Sequence, residues 1–248
     1  MCGRYASFRR VQALEDAFRI AEVAQDARLL PESWNVAPTD PVRMVVERAD
    51  RETGEISRQL QAARWGLVPS WAKDPSIGNR MINARAETLL DKGSYRKAFA
   101  QRRALLPADG YYEWKRPGPG ALTKAKQPFY IHPADNGPLA LAGLYEFWRD
   151  PAKAADDPSR WLVTTTVITT DASEPLAHIH DRQPLMLRPD AWDAWLDPAV
   201  GADAAADLLR APAPTLIATE VSTRVNKVGN NGPELIEPEE PHTGARPS

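Results

Sequence analysis

Cysteine is almost missing from this chain: of 248 residues one is a cysteine, Cys2, and four are histidines. A single thiol excludes an internal disulfide framework, and so few soft ligands leave little from which to build a metal cluster. No metal and no cofactor are therefore expected. Long apolar runs are also missing. Stretches such as Trp161-Leu162-Val163-Thr164 fall far short of a membrane span, and the first residues contain no apolar signal region. The expectation is a soluble, cytoplasmic monomer with no membrane partner, its 43% hydrophobic content enough for one sizeable core. Internal repeats are absent too. A strong overall charge is lacking, but the net of -2 conceals a division. Residues 1–120 carry 20 Lys and Arg against 15 Asp and Glu, net +5, and residues 121–248 carry 11 against 18, net -7. Arginine dominates the basic half and binds phosphate through a planar fork. Solvated helix faces account equally well for such charge, so the asymmetry alone is a weak pointer to nucleic acid.

A regular βαβ alternation is not found either. Strands are expected at residues 41–46, 64–68, 104–106, 129–131, 139–147, 161–170, 185–187 and 216–221. Helices are expected after a capping Ser7, with Val11, Leu14 and Phe18 on one face, and over 86–103, with Leu90, Tyr95 and Phe99 as anchors. Two short helices are expected at 191–196 and 202–210, and exposed loops at 117–127 and 150–160. Strands outnumber helices, which predicts a single α+β domain with a curved, largely antiparallel sheet or partial β-barrel flanked by helices.

What is present, at the very start, is Met1-Cys2-Gly3-Arg4. Methionine is readily removed before a residue as small as cysteine, which would leave an α-amine and a thiol on adjacent carbons. Such a 1,2-aminothiol traps aldehydes: the amine condenses to an imine, and the thiol closes onto the imine carbon to give a thiazolidine. With a pKa near 7.7 to 8.0, an α-amine is roughly a third neutral at pH 7.5, against about 0.1% for lysine. Against this stands the plain alternative, a small residue at a terminus that frays.

Polar residues also cluster where a core strand would not put them. The clusters are Trp65-Gly66-Leu67-Val68-Pro69-Ser70-Trp71, Asn83-Ala84-Arg85-Ala86-Glu87-Thr88, Pro107-Ala108-Asp109-Gly110-Tyr111-Tyr112-Glu113-Trp114 and His178-Ile179-His180-Asp181-Arg182-Gln183-Pro184. With the N-terminal motif, Asn35-Val36-Ala37-Pro38 and the late Val225-Asn226 and Asn230-Asn231-Gly232-Pro233, they resemble the SRAP family, the abasic-site-processing proteins associated with the SOS response. The likeness runs over 1–237, leaving 238–248 as an expected disordered tail. It implies a thiazolidine crosslink to abasic sites in single-stranded DNA, with single-strand/double-strand junctions as a further target and nucleoid association when bound. Motif position makes Cys2 the nucleophile, Asn83 the residue that orients terminus and sugar, Glu113 the general acid/base, and His180 the aid to sugar ring opening. It makes Arg4, Asn35, Pro38, Trp71, Arg85, Trp114 and Arg182 the DNA contacts. Gln183 stands where relatives commonly have methionine.

The residue types suit these roles. Proton delivery to a departing hydroxyl needs a carboxyl of raised pKa, and Tyr112 and Trp114 are expected to supply the desolvation. Other readings stay open. Glu113 could pair with Arg4 or Arg85; His178 and His180, on one face of a strand, could suggest a metal; the tryptophans could be core. In function, the alternatives are a thiol peptidase using Cys2, His180 and Glu113, limited even to removing its own Met1; a non-covalent single-stranded DNA-binding module; and strand cleavage by β-elimination.

Overall fold

The computed structural model describes residues 2–49, 52–120 and 124–239. Its strands are β1 (Tyr5–Ser7), β2 (Glu22–Val23), β3 (Ser33–Val36), β4 (Pro41–Ala49), β5 (Ile56–Trp65), β6 (Asn83–Arg85), β7 (Arg103–Ala108), β8 (Gly110–Lys115), β9 (Gln127–Pro133), β10 (Leu139–Arg149), β11 (Trp161–Asp171), β12 (Arg182–Pro184) and β13 (Leu216–Glu220). The helices are α1 (Val11–Phe18), α2 (Gln25–Leu29), α3 (Gly93–Gln101), α4 (Pro189–Leu196) and α5 (Ala202–Leu208). The predicted α+β class and largely antiparallel pairing hold.

The sheet runs in the order β11, β10, β7, β4, β5 and then closes, because β5 pairs back onto β11 in parallel through Thr164 with Arg64 and Thr165 with Trp65. The result is a five-stranded barrel. Period-two alternation divides each strand between two surroundings. One face, with Leu60, Leu105, Ala142, Leu144 and Ile168, packs under the helices against Leu14, Phe18, Phe99, Trp192 and Trp195. The other, with Val42, Trp65, Leu106, Leu139, Leu141 and Val167, joins residues of a second sheet. That sheet runs β13, β9, β8, β1, β3 and contributes Tyr5, Val36, Tyr111, Phe129 and Ile131 to the shared cluster. Its far face, with Ala6, Tyr112 and Tyr130, is covered by Val221, Val225 and Ile236.

Buried arginines tie the helices down. Arg103 on β7 donates to the carbonyls of Phe99 (2.9 Å), Ala100 (3.3 Å), Trp195 (2.6 Å), Asp197 (2.6 Å) and Val200 (2.8 Å). These lie at the C-terminal ends of α3 and α4, where carbonyls lack helical partners and a cation is favoured. Arg43 does the same for Ala27 and Leu30 around α2.

Several local expectations fail for identifiable reasons. Ser7 is in β1, its hydroxyl donating to the Pro107 carbonyl at 3.2 Å, and α1 starts behind Arg10 with no side-chain cap. The expected helix over 86–103 begins instead at Gly93, after a 3-10 turn at Ala86–Thr88; Tyr95 and Phe99 are buried, whereas Leu90 is exposed. Residues 185–187 form only a bridge, Met186 to Leu141. Of the expected tail, Pro238 bridges Val221 and the Glu239 amide bonds the Glu220 carbonyl at 3.0 Å; residues 240–248 lie outside the described residues.

The chain leaves β5 through Gly66, at φ +126°, and a Cβ there would lie 2.5 Å from the Gly78 carbonyl oxygen. Gly54 also has positive φ, +71°, but faces open space. Gly66→Ala should therefore destabilise well beyond the roughly 1–3 kcal/mol that backbone strain alone contributes, with Gly54→Ala as the reference. Melting temperatures of the two variants decide it: if Gly66→Ala melts no lower than Gly54→Ala, the close approach imposes no constraint.

Candidate functional site

Strand β8 pairs antiparallel with β1, Tyr5 opposite Tyr111, and the Tyr112 amide bonds the Arg4 carbonyl at 2.9 Å. Continuing that register sets Gly3 opposite Glu113, beside Cys2. Alternation then sorts the motif Tyr111-Tyr112-Glu113-Trp114. Tyr111 joins the cluster that contains Cys2, which is 0% exposed, and Glu113 shares its side of the strand. Tyr112 packs on the opposite face and donates to the Trp34 carbonyl at 2.7 Å. The desolvation of Glu113 therefore comes from the barrel side, not from Tyr112 and Trp114, whose side chains belong to the far face. Burial pushes the Glu113 carboxyl up to about 7, and the Asp181 carboxylate adds to the effect.

Three further elements reach the same place. Asn83, first in β6, donates from Nδ2 to the Cys2 carbonyl at 2.8 Å, while its own carbonyl accepts from the Tyr95 hydroxyl at 3.2 Å. Its Oδ1 is buried without a partner. His180 brings its Nε2 to 4.0 Å from Glu113 Oε2. His178 and His180 lie in a turn after Glu174–Leu176 rather than on a strand; Leu176 and Ile179 anchor that turn in the Cys2 cluster, and His178 is exposed. The turn is closed by the Ala172 amide on the Asp181 carbonyl at 2.9 Å and by the Ser173 amide on Gln183 Oε1 at 3.0 Å. Among the described residues no group of three or more His, Cys, Asp or Glu is placed to hold a metal ion.

The His180 Nδ1 has two neighbours with opposite demands: the Arg182 amide donates to it at 3.0 Å, and an Asp181 carboxylate oxygen lies 2.9 Å away. The amide is fixed by backbone, the Asp181 side chain is 87% exposed, and burial lowers the imidazole pKa from its ordinary value. The ring is thus neutral near pH 7 with Nδ1 as acceptor, so its proton is on Nε2, directed toward Glu113. The Cys2 thiol is pushed up strongly by burial and by the charge of Glu113, and Sγ lies 3.9 Å from the Arg4 carbonyl.

The expected DNA contacts separate into two groups. Arg85 and Trp71 are exposed; the Arg85 carbonyl accepts from the Thr88 hydroxyl at 3.4 Å, and the Arg85 guanidinium makes no hydrogen bond or ion pair among the described residues. Pro38 is half-buried in the turn after β3. Trp114 is half-buried, donates to Asn226 Oδ1 at 2.6 Å, and lies under the Arg4 guanidinium at 5.9 Å. Trp65, by contrast, is core, with Nε1 on the Ile82 carbonyl at 2.9 Å. Asn35 is buried and its Nδ2 serves the carbonyls of Val225 (3.4 Å), Lys227 (3.1 Å) and Asn230 (2.8 Å), while its Oδ1 receives Arg4 at 2.6 Å. It is a brace for the late segment, not an open contact. Arg182 is likewise committed, to both oxygens of Glu87 (2.8 and 3.0 Å), to Asp171 (2.5 Å) and to the Thr169 carbonyl (2.8 Å). Four acceptor oxygens from three residues leave it no fork for phosphate. Arg4 also holds the Val225 carbonyl at 2.9 Å, so it is turned away from Glu113.

Fold and site together define a barrel-based protein that holds a buried thiol near the start of its chain beside an amide, a carboxyl of raised pKa and a neutral imidazole. The chain belongs to the SRAP family: residues 1–228 match the family described as SOS response associated peptidase. Among its relatives, the abasic site processing protein YoqW of Bacillus subtilis is 39% identical over 96% of this chain and 99% of its own length. The abasic site processing protein YedK of Escherichia coli is 32% identical over 96% and 100%. The abasic site processing protein HMCES of Gallus gallus is 35% identical over 96% and 78%. A crystal structure of a protein from Bacteroides thetaiotaomicron shares the fold, with a TM-score of 0.76 and 23% identity, covering 96% of this chain and 100% of that one.

A carboxyl that keeps its proton to about 7 when folded, but releases it near 4.5 when unfolded, binds more protons in the folded state throughout that window. Ionising Glu113 therefore removes stability as pH rises from 4.5 to 7, and no more above it. Glu113→Gln stays neutral, so it should match the parent at pH 4 and exceed it at pH 8 by on the order of 1–3 kcal/mol. Denaturant unfolding at the two pH values measures this; an equal difference at both would mean that Glu113 is not held protonated.

Proposed function

We propose that this protein processes abasic sites in single-stranded DNA by forming a covalent thiazolidine through Cys2 after loss of Met1. The observation that carries the reading is the convergence of Asn83 from β6, Glu113 from β8 and His180 from the turn before β12 on a buried Cys2. The names of the full-length relatives point to the same substrate.

The ring-opened abasic sugar presents an aldehyde at its first carbon. The Cys2 α-amine adds to it, and Glu113, in its protonated form, donates to the resulting hydroxyl, which leaves as water. The thiol sulfur then bonds the iminium carbon, the C=N electron pair returns to nitrogen, and the thiol proton passes to the Glu113 carboxylate. Glu113 ends as it began, and a pKa of about 7 suits a group that must give a proton and take one back. Asn83 fixes the Cys2 carbonyl and keeps Oδ1 available to a sugar hydroxyl. The Nε2–H of His180 is a donor that does not compete as a nucleophile, suited to opening the sugar ring. Unpaired DNA suits the site because a stacked duplex hides the sugar, and Trp71, Trp114, Pro38, Arg4 and Arg85 line the proposed strand path. The family's description as a peptidase favours, as a second reading, removal of Met1 by these same groups. A lasting Cys–His peptidase pair fits less well, since Sγ faces a carbonyl and His180 Nε2 faces Glu113.

Intact mass spectrometry before and after incubation with an abasic single-stranded oligonucleotide tests the proposal. Cys2→Ala keeps the amine but has no ring-closing thiol, so the denaturant-stable adduct should vanish and strand nicking through the reversible imine should rise. Equal adduct yields from Cys2→Ala and parent would remove the thiol from the mechanism.

Charge on the strand path is tested separately. Arg85→Ala should reduce the slope of log affinity against log salt by about 0.7, the value for one phosphate on a single strand. Arg182→Ala should leave the slope alone and lower the melting temperature. An unchanged slope for Arg85→Ala would put the DNA elsewhere.

A further inference from the structure

The chemistry above leaves one buried group unused. The Tyr111 hydroxyl lies in the cluster that holds Cys2, the residue is 0% exposed, and its oxygen has no hydrogen-bond partner. A phenol buried without a partner is costly, on the order of 1–3 kcal/mol, and such groups are rare enough to need a reason.

The reaction supplies one. In the resting protein Sγ lies 3.9 Å from the Arg4 carbonyl, and burial and the charge of Glu113 hold it as a neutral thiol. As sulfur gives up its proton it needs a donor, in surroundings that are largely apolar. The other donors nearby are spent: the Trp65 indole on the Ile82 carbonyl and the Asn83 amide on the Cys2 carbonyl. Tyr5, cross-strand from Tyr111 and in the same cluster, also feels the Cys2 charge, but it lines a cavity with Ser7, Asp40 and Arg43, whereas the Tyr111 hydroxyl opens to none of these. Tyr111 remains, two residues before Glu113 on the same side of β8. The electrostatics agree, since the charges of Cys2 and Glu113 both act on the Tyr111 phenol, after burial as the main influence.

We propose that Tyr111 is a further residue of the reaction, its O–H donating a hydrogen bond to the Cys2 sulfur as that sulfur ionises and attacks the iminium carbon. This rests on the function proposed above. The phenol keeps its proton throughout: the thiol proton goes to Glu113, the carbon–sulfur bond forms, and the C=N pair moves to nitrogen. Tyr111 therefore acts on ring closure and leaves the preceding imine step unaffected.

Tyr111→Phe removes only the oxygen. With Met1 loss verified by mass in both proteins, the denaturant-stable adduct on an abasic single-stranded oligonucleotide should form roughly 10- to 100-fold more slowly, at or below the effect of losing one donor at a developing anion. The imine trapped by cyanoborohydride should form at the parent rate. Alkylation of Cys2 by iodoacetamide at pH 8, which needs no DNA, should slow about tenfold, as for a thiolate that has lost a donor. The melting temperature should be unchanged or higher, because the lost hydroxyl has no partner in the resting fold. Stable adduct at the parent rate would overturn the proposal. So would a large drop in melting temperature, which would show the hydroxyl already bonded at rest. A parent protein that makes no stable adduct at all would instead sink the proposed function, and the alkylation arm would still report on the bond from tyrosine to sulfur.

Discussion

Strand β11 is hydrogen-bonded by four other strands, and the site exists because of it. It pairs with β10 along its length, with β12 near its end, and on its other side with β5 and then β6. The parallel pairing with β5 closes the barrel and forces the tight turn at Gly66. The pairing with β6 puts Asn83 beside Val167, and the hairpin to β12 suspends the histidine turn over the same end. Antiparallel hairpins form locally, whereas these parallel joins close loops of a hundred residues or so between partners, and the entropy of that closure must be met by burial elsewhere. The arginines that pin helix ends supply part of the order that makes it possible.

The second constraint is the two-residue period of β8. It sends Tyr111 and Glu113 toward Cys2 and sends Tyr112 and Trp114 toward the opposite face, where Arg4 and the late segment meet them. A carboxyl in an apolar setting and an aromatic surface for a ligand are thereby made from one four-residue string. Shifting the register by one residue would exchange the two roles. The same reasoning explains why neither Arg4 nor Arg85 neutralises Glu113: one belongs to the far face and the other to the exposed start of the 3-10 turn.

Much of this was legible in the sequence, for different reasons in different places. The long strands at 139–147 and 161–170 announced themselves by β-branched and apolar runs, and the α+β class followed from how strands outnumber helices. The site residues were named from the resemblance to the SRAP family, and the structure brings Cys2, Asn83, Glu113 and His180 together. The fates of individual arginines were not legible. Arg182 and Arg85 lie in equally suggestive motifs, yet one is enclosed by Glu87 and Asp171 and the other is open, a difference set by neighbours distant in sequence. Likewise, nothing local reveals that Arg43 and Arg103 are interior props, so the basic half looks richer in phosphate ligands than it is. Barrel closure was beyond reach as well, because pairing between β5 and β11 has no local signature.

The late segment carries one more consequence. Arg4 and Asn35 are held by the carbonyls of Val225, Lys227 and Asn230, and Asn231 accepts from the Trp34 amide at 2.7 Å. On the ribosome, Val225 is made 221 residues after Arg4. Arg4 and Asn35 therefore emerge early but cannot be locked down until residues 225–230 have been synthesised. Until then nothing in the late segment holds Arg4 and Asn35, and the fold around the buried Cys2 is incomplete.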